Sequence, residues 1–132
     1  MIGVDTNVLV RFFASDDAHQ AAAVRAWLDD QAGRGERIRI GLVTLVETEW
    51  VLRSRYRVTR DELAGVLDEL LEDPSIDFQD EAAVSVASRD LAESSADFTD
   101  LLMAAVNDLH GCSTTMTIDR RAARDAGMTL LE

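Results

Sequence analysis

The chain of 132 residues contains no lysine, one cysteine and one proline. The single cysteine, Cys112, has no partner within the chain, which excludes a disulfide-stapled scaffold and favours a reducing compartment. The longest apolar stretches, such as residues 101–106, fall far short of the ~20 residues that cross a bilayer. The first residues carry neither a basic region nor a long apolar segment, so we expect no secretory signal and a cytoplasmic location.

Because lysine is absent, all 13 basic residues are arginines; they stand against 25 acidic residues, for a net charge of −12. This balance alone argues against a nucleic-acid partner. Where several acids converge in one cleft, however, bound divalent cations reverse the local sign of the charge. The overall charge therefore does not decide the partner.

Length and composition predict one compact domain over residues 1–132. Apolar residues make up 47% and charged residues 29%, as in globular proteins. Strands are predicted at 2–5, 38–43, 76–79, 113–118 and 128–131, with helices between them. Residues 15–17 are expected to cap the second helix, and Thr59 with Glu62 matches a capping box for a later one. This alternation predicts an α/β fold whose parallel sheet is covered on both faces.

Several acids are predicted just after a strand or in the first turn of a helix. Asp5 and Asp119 follow predicted strands, at the sheet edge where open parallel sheets bind ligands. Asp97 and Asp100 are three residues apart and share one face of a helix. For each of these acids taken alone, helix capping and favourable interaction with the helix dipole are the simpler explanation. A shared site is the alternative, because the acids all occupy the same kind of place in the predicted fold.

Glu47 is predicted on a helix that opens at Thr44, where its neighbours three and four residues on are Trp50 and Val51. We expect that face to be buried, and a buried carboxylate must be neutralised, paired or bound to metal. Glu47 is therefore either half of a structural ion pair or a functional residue. Glu49 points about 200° away around the helix and is expected to be solvated.

If Asp5, Glu47, Asp100 and Asp119 meet, their like charges need compensation. Hard oxygen ligands suit Mg²⁺ or Mn²⁺, and the spacing of histidine and cysteine matches neither a zinc nor an iron site. His19 and His110 are interpreted as surface or capping residues. Cys112 is interpreted as a small apolar filler.

Four segments carry a family resemblance, in order along nearly the whole chain. They are Asp5 to Arg11 (DTNVLVR), Leu45 to Leu52 (LVETEWVL), Asp97 to Leu102 (DFTDLL) and Thr117 to Arg121 (TIDRR). They resemble the four motifs of PIN domains of the VapC type. The resemblance implies a PIN-like three-layer α/β/α fold and a metal-dependent endoribonuclease, the toxin of a VapBC-type toxin–antitoxin pair.

The resemblance also implies roles for individual residues. The catalytic acids would be Asp5, Glu47, Asp100 and Asp119, and the ligands of Mg²⁺, or of Mn²⁺ in its place, would be Asp5, Asp97, Asp100 and Asp119. Supporting side chains would be Thr6, Asn7 and Thr117, and the candidate RNA contacts are Arg11, Arg53 and Arg120. The implied partners are an RNA substrate, a VapB-like antitoxin and a second copy of the chain.

Two other classes of protein fit parts of the pattern. A receiver-like signalling domain also gathers acids around Mg²⁺ at strand ends, but that fold relies on a lysine and this chain has none. A PIN fold kept only as a binding module would not need the complete acidic set. The absence of lysine therefore disfavours the receiver-like domain, and the complete acidic set disfavours the binding module.

Overall fold

The computed structural model describes residues 1–14 and 16–132, which form two compact units, residues 1–79 and 80–132. Both units combine helices with parallel strands, so the predicted α/β class is confirmed. The single domain over residues 1–132 stays a prediction. Within the described ranges no helix is long and apolar enough to span a membrane.

The first unit contains a three-stranded parallel sheet in the order β1-β2-β3. Ile2 pairs with Ile38, and Ile38 in turn pairs with Ile76, which sets the register of the three strands. The elements in chain order are β1 (Ile2–Gly3), α1 (Thr6–Ala14), α2 (Ala18–Gly33), β2 (Ile38–Ile40), α3 (Leu42–Arg55), α4 (Arg60–Glu72) and β3 (Ile76–Phe78). Parallel pairing of successive strands requires the helical crossovers that the sequence supplies.

The second unit contains two parallel strands, with Met116 opposite Thr129. Its elements are α5 (Glu81–Glu93), α6 (Phe98–Leu109), β4 (Met116–Thr117), α7 (Arg120–Asp125) and β5 (Thr129–Leu130). The predicted elements are all present, but every strand is shorter than its apolar run. The first unit shows why at β2, where Gly41 ends the strand and Leu42 already begins a helix.

Each unit buries its own apolar side chains. In the first, Ile38 and Ile40 are each 1% exposed, and α1 packs against α3. In the second, α5 packs against α6; Ala83 and Ala87, one turn apart on α5, are fully buried, and Phe98 on α6 is 2% exposed. Full burial of a large apolar side chain contributes about 1.5–3 kcal/mol, so these faces hold the elements that carry the acids.

Helix caps follow the sequence closely. The Thr59 hydroxyl accepts a hydrogen bond from the backbone N–H of Glu62 (3.2 Å), as the capping-box pattern predicts. Asp17 caps α2 by accepting from the N–H groups of His19 (3.0 Å) and Gln20 (3.1 Å). Residue 15, the first of the three expected cap positions, lies outside the described residues. The boundaries of both helices are therefore fixed by local side chains.

The predicted phase of α3 is wrong. Glu49 is 5% exposed, whereas Trp50 is 54% and Val43 82% exposed, and Glu47 is exposed. The buried face carries Leu45, Thr48, Glu49 and Leu52. Glu49 tolerates burial because Arg53, one turn later, donates to it over 2.9 Å. The interpretation of Cys112 as a small apolar filler is also wrong, because Cys112 is exposed.

Candidate active site

Asp5 follows β1 and caps α1 in the first unit. Its Oδ1 accepts a hydrogen bond from the backbone N–H of Val8 (3.0 Å), and its side chain is exposed. Thr6, half-buried, and Asn7, exposed, form the first turn of this helix. Within residues 1–14 and 16–132 the cap bond is the only hydrogen bond that the carboxylate accepts, so Oδ2 has no protein partner there.

Arg11, a candidate RNA contact, is held by its own unit. Its Nε donates to Oε1 of Gln20 on α2, and its Nη1 donates to the carbonyl oxygen of Asn7 (3.4 Å). The guanidinium therefore ties α1 to α2 and is half-buried. Its remaining N–H donors make no hydrogen bond with the described residues.

Glu47 lies in the middle of α3, which packs against α1 and so against the helix that Asp5 caps. Its carboxylate is exposed and makes no ion pair or hydrogen bond with the described residues. Glu49, two residues on, has the opposite surroundings, because it is buried and paired with Arg53. The helix thus separates a structural glutamate from an unpartnered one.

Asp119 ends β4 in the second unit and caps α7. Its Oδ1 accepts from the N–H groups of Arg121 (2.8 Å) and Ala122 (3.4 Å). The Thr117 hydroxyl accepts from the backbone N–H of Asp119 (3.0 Å), which fixes the turn between strand and helix. A single oxygen of Asp119 thus caps the helix, and the carboxylate remains exposed.

Asp97 and Asp100 lie at the start of α6. Asp97 is the N-cap residue but makes no capping hydrogen bond through its side chain, and Asp100 follows in the first turn. Burial and then the negative charges of Asp97 and Asp119 raise the pKa of Asp100 above its ordinary value, while Arg121 opposes the rise. The second unit therefore brings Asp97 and Asp119 within electrostatic range of Asp100.

Other half-buried acids of the chain have cationic partners. Asp77 pairs with Arg39 (2.5 Å) and Arg37 (3.2 Å), and Asp125 pairs with Arg124 (2.7 Å). Hydrogen bonding to Arg124 lowers the pKa of Asp125. No such partner contacts Asp97 or Asp100 within the part of the chain that the structure describes. The candidate acids thus differ from the structural acids in their surroundings.

The donor set has the chemistry of a hard divalent cation. Asp97, Asp100 and Asp119 offer only oxygen atoms, and a cation would offset the negative charges of Asp97 and Asp119, which after burial are the causes that raise the pKa of Asp100. Among residues 1–14 and 16–132, no three His, Cys, Asp or Glu side chains stand ready to hold a metal ion. Asp5 and Glu47 belong to the first unit, and the convergence of all four catalytic acids stays a prediction.

The comparison with protein families agrees with the four motifs. The family model described as PIN domain matches residues 2–127, nearly the whole chain. The chain belongs to the PIN domain family. The expected PIN-like α/β/α class is thereby confirmed. PIN domains are generally metal-dependent nucleases, which agrees with the oxygen-only donor set of this PIN domain. No curated protein matches the chain.

One arginine of the fourth motif, Arg121, influences the acids, an effect that the sequence did not indicate. Arg121 lies close enough to Asp100 to lower its pKa, and its Nη2 donates to the carbonyl oxygen of Ser95 (3.0 Å). Its place directly after the Asp119 cap was the available signal. Arg120, the candidate RNA contact, is exposed and has no ion pair with the described residues. The two neighbours thus differ, one near the acids and one facing solvent.

Proposed function

We propose that this PIN domain is a Mg²⁺-dependent endoribonuclease, with Mn²⁺ able to replace Mg²⁺, and the toxin of a VapBC-type toxin–antitoxin pair. The observation that carries the proposal is the set of acids in the second unit. Asp100 is partly buried and lies in the field of the negative charges of Asp97 and Asp119, whereas Asp77 and Asp125 are paired with arginines. Maintaining such repulsion costs stability, and binding of a cation would offset that cost.

The reaction we propose is hydrolysis of an RNA phosphodiester. The oxygen of a water molecule forms a bond to phosphorus, and the bond from phosphorus to the 3′ oxygen breaks. A bound divalent ion supplies Lewis acidity to this chemistry. Asp97, Asp100 and Asp119 would hold that ion, Asp5 would contribute a further oxygen, and the unpartnered Glu47 would accept a proton from the attacking water. The products carry a 5′ phosphate and a 3′ hydroxyl.

RNA phosphates require positive neighbours in a chain with a net charge of −12. Arg53 is 56% exposed although it pairs with Glu49, and Arg120 is exposed. Arg11 keeps part of its guanidinium for a phosphate beyond its bonds to Asn7 and Gln20. We propose these three arginines as phosphate contacts.

The test is to incubate the purified protein with an end-labelled structured RNA and Mn²⁺, with and without EDTA, and to analyse the ends of the products. We expect cleavage with Mn²⁺ and none with EDTA, and products with 5′ phosphates. Cleavage that persists in EDTA, or products with 2′,3′-cyclic ends, would contradict the proposed chemistry. Binding without cleavage would instead indicate a PIN fold kept as a binding module.

We also propose a cytoplasmic location, a homodimer and a cognate VapB-like antitoxin. Carboxylates that attract a divalent cation should attract a cationic side chain too, so an antitoxin arginine or lysine is proposed to enter the acidic site. Apolar contacts supply most of the energy of such interfaces, and therefore the complex should survive loss of that charge. Inhibition would then be partly competitive with metal.

Titration of Mn²⁺ against inhibition in the purified toxin–antitoxin complex tests the proposed antitoxin contact. Rising Mn²⁺ should restore part of the cleavage, and replacing the inserted basic residue with alanine should weaken inhibition while the complex persists. Inhibition that ignores both changes would mean that the antitoxin blocks RNA by its bulk alone.

A further inference from the structure

Trp50 is a large aromatic side chain that the fold of the first unit leaves 54% exposed. Tryptophan is highly buried on average in folded proteins, and an outward-facing tryptophan often contributes to recognition. Its contribution to the fold is small, because α3 packs through the opposite side, with Leu45 and Leu52 each 2% exposed. The exposure of Trp50 therefore needs an explanation other than packing.

Trp50 lies between two residues to which the proposed function gives roles. Glu47 precedes it by three residues and Arg53 follows it by three, and all three side chains are exposed. Residues three apart on a helix are surface neighbours, with about 5–6 Å between their Cβ atoms. The outer face of α3 thus presents an unpartnered carboxylate, an indole ring and a guanidinium in succession.

The segment from Arg53 to Arg60, RSRYRVTR, contains four arginines and no acid. The charge of this segment is therefore positive, whereas the net charge of the whole chain is −12. Arg55 and Arg57 are exposed and make no ion pair or hydrogen bond with the described residues, and Tyr56 between them is 36% exposed. Positive charge interleaved with aromatic rings is the surface chemistry that binds single-stranded nucleic acid.

We propose that Trp50 is a stacking platform for an unpaired base of the RNA, and that the arginines from Arg53 to Arg57 bind the phosphates on one side of that base. The inference rests on the proposed ribonuclease function and adds the side chain that would hold one base of the bound strand. A base in a duplex is already stacked on its neighbours, so its face is not available to an indole ring. Trp50 would thereby select loops and unpaired segments.

The charge of the segment favours RNA over a second copy of the chain. A two-fold contact places the same patch of both copies against each other. Such a contact through Trp50 would place the arginine-rich segment of both copies in one interface, where each copy offers one unpartnered carboxylate on this face, that of Glu47, and Glu49 is already paired with Arg53. A run of RNA phosphates neutralises the four arginines of the segment more completely than the single Glu47 of a second copy.

Fluorescence provides a direct readout because the chain has two tryptophans, and the other, Trp27 on α2, serves as the matched control. Trp27→Phe leaves Trp50 as the only indole, and Trp50→Phe leaves Trp27. Both proteins are titrated in EDTA, where the proposed cleavage is off, with a short unstructured RNA oligonucleotide and then with the same strand in a duplex. Cleavage of the single strand in Mn²⁺ is measured in parallel.

We expect the single strand to quench Trp50 strongly and Trp27 weakly, and the duplex to quench neither. Trp50→Ala should weaken binding of the single strand about 5- to 150-fold, the range that corresponds to stacking of one base, and Trp50→Phe should keep most of the affinity. Trp27→Ala should leave the affinity unchanged. Circular dichroism of each variant verifies that the fold is retained.

Equal affinity of wild type and Trp50→Ala, with cleavage intact, would overturn this inference and leave the ribonuclease in place. A dimer that Trp50→Ala converts to a monomer with unchanged RNA affinity would overturn it in favour of a protein contact. Absence of both binding and cleavage in the wild type would remove the proposed function itself, and the inference with it.

Discussion

Asp100 and Asp125 lie in the same unit and have opposite surroundings. Asp125, whose side chain is 12% exposed, accepts hydrogen bonds from Arg124 and Ser95, and its pKa is lowered. Burial, and then the negative charges of Asp97 and Asp119, raise the pKa of Asp100. The first carboxylate stabilises the fold by being charged, and the second destabilises it. An acid that a protein keeps in repulsion is a candidate for function, because folding alone does not favour it.

The largest expected difference between the two aspartates is in catalysis. Asp100→Asn should reduce RNA cleavage in Mn²⁺ at least ~100-fold, the lower end of what a positioned catalytic group contributes. Asp5→Asn and Asp119→Asn should do the same while circular dichroism stays unchanged. Asp125→Asn, the matched control, should retain cleavage under conditions where it is folded. Comparable losses at Asp100 and Asp125 would erase the distinction between the two sites.

A second pair of acids, on α3, extends the comparison to the first unit. Glu49→Ala should lower the free energy of unfolding by about 1–3 kcal/mol, because it removes a buried carboxylate that Arg53 bonds. Glu47→Ala should change that free energy by no more than about 0.5 kcal/mol, as expected at an exposed position. Urea unfolding of both variants measures the difference.

Activity should respond to the same two glutamates in the reverse order. Glu47→Gln should impair cleavage, whereas Glu49→Gln should be nearly silent wherever the protein is folded. The contrast fails if Glu49→Gln reduces cleavage as much as Glu47→Gln at a temperature where both variants keep their native circular dichroism.

The α3 pair also shows how far the sequence predicts this molecule. Local sequence signals were sufficient to predict the four motifs, the order of the elements and the caps at Thr59 and Asp119. The phase of α3 was not predictable from periodicity, because apolar residues occur all around the helix, including Val43, Val46 and Trp50. The spacing of Glu49 and Arg53, one turn apart, was the local signal that could have indicated the buried pair.

Long-range features of the site were less accessible from the sequence. Asp97 and Asp100 are neighbours on one helix, but the influence of Asp119 on Asp100 depends on tertiary structure. Strand ends were also misjudged, since residues 41–43 extend the apolar run of β2 although the chain turns into α3 there. The strand length depends on the tertiary hydrogen bond from the N–H of Leu42 to the Gln79 side chain (3.0 Å), which no periodicity encodes.

The smallest expected effect is on the pH dependence of stability without metal. At neutral pH Asp100→Asn should raise the melting temperature, because it removes a charge that the folded state disfavours, and Asp125→Asn should lower it. Since the pKa of Asp100 is raised in the folded state, the difference in melting temperature between Asp100→Asn and wild type should fade as pH falls towards the ordinary pKa of 3.8. Since the pKa of Asp125 is lowered in the folded state, the difference in melting temperature between Asp125→Asn and wild type should fade only below pH 3.8.

Thermal unfolding from neutral to acidic pH, in EDTA, follows both differences. The order in which they disappear is the informative result. If the two variants approach wild type over the same pH range, the surroundings of the two aspartates are not opposite in solution.

The proposed role of Asp97, Asp100 and Asp119 is to bind a divalent cation, and metal affinity can be measured without catalysis. Isothermal titration of Mn²⁺ into the wild type, Asp100→Asn and Asp125→Asn, without RNA, measures it apart from catalysis. The wild type and Asp125→Asn should bind Mn²⁺ with similar affinity, and Asp100→Asn should bind it at least ~10-fold more weakly, as loss of a group that supports a metal site typically does. Equal Mn²⁺ affinity of Asp100→Asn and wild type would show that Asp100 is not a ligand of the cation.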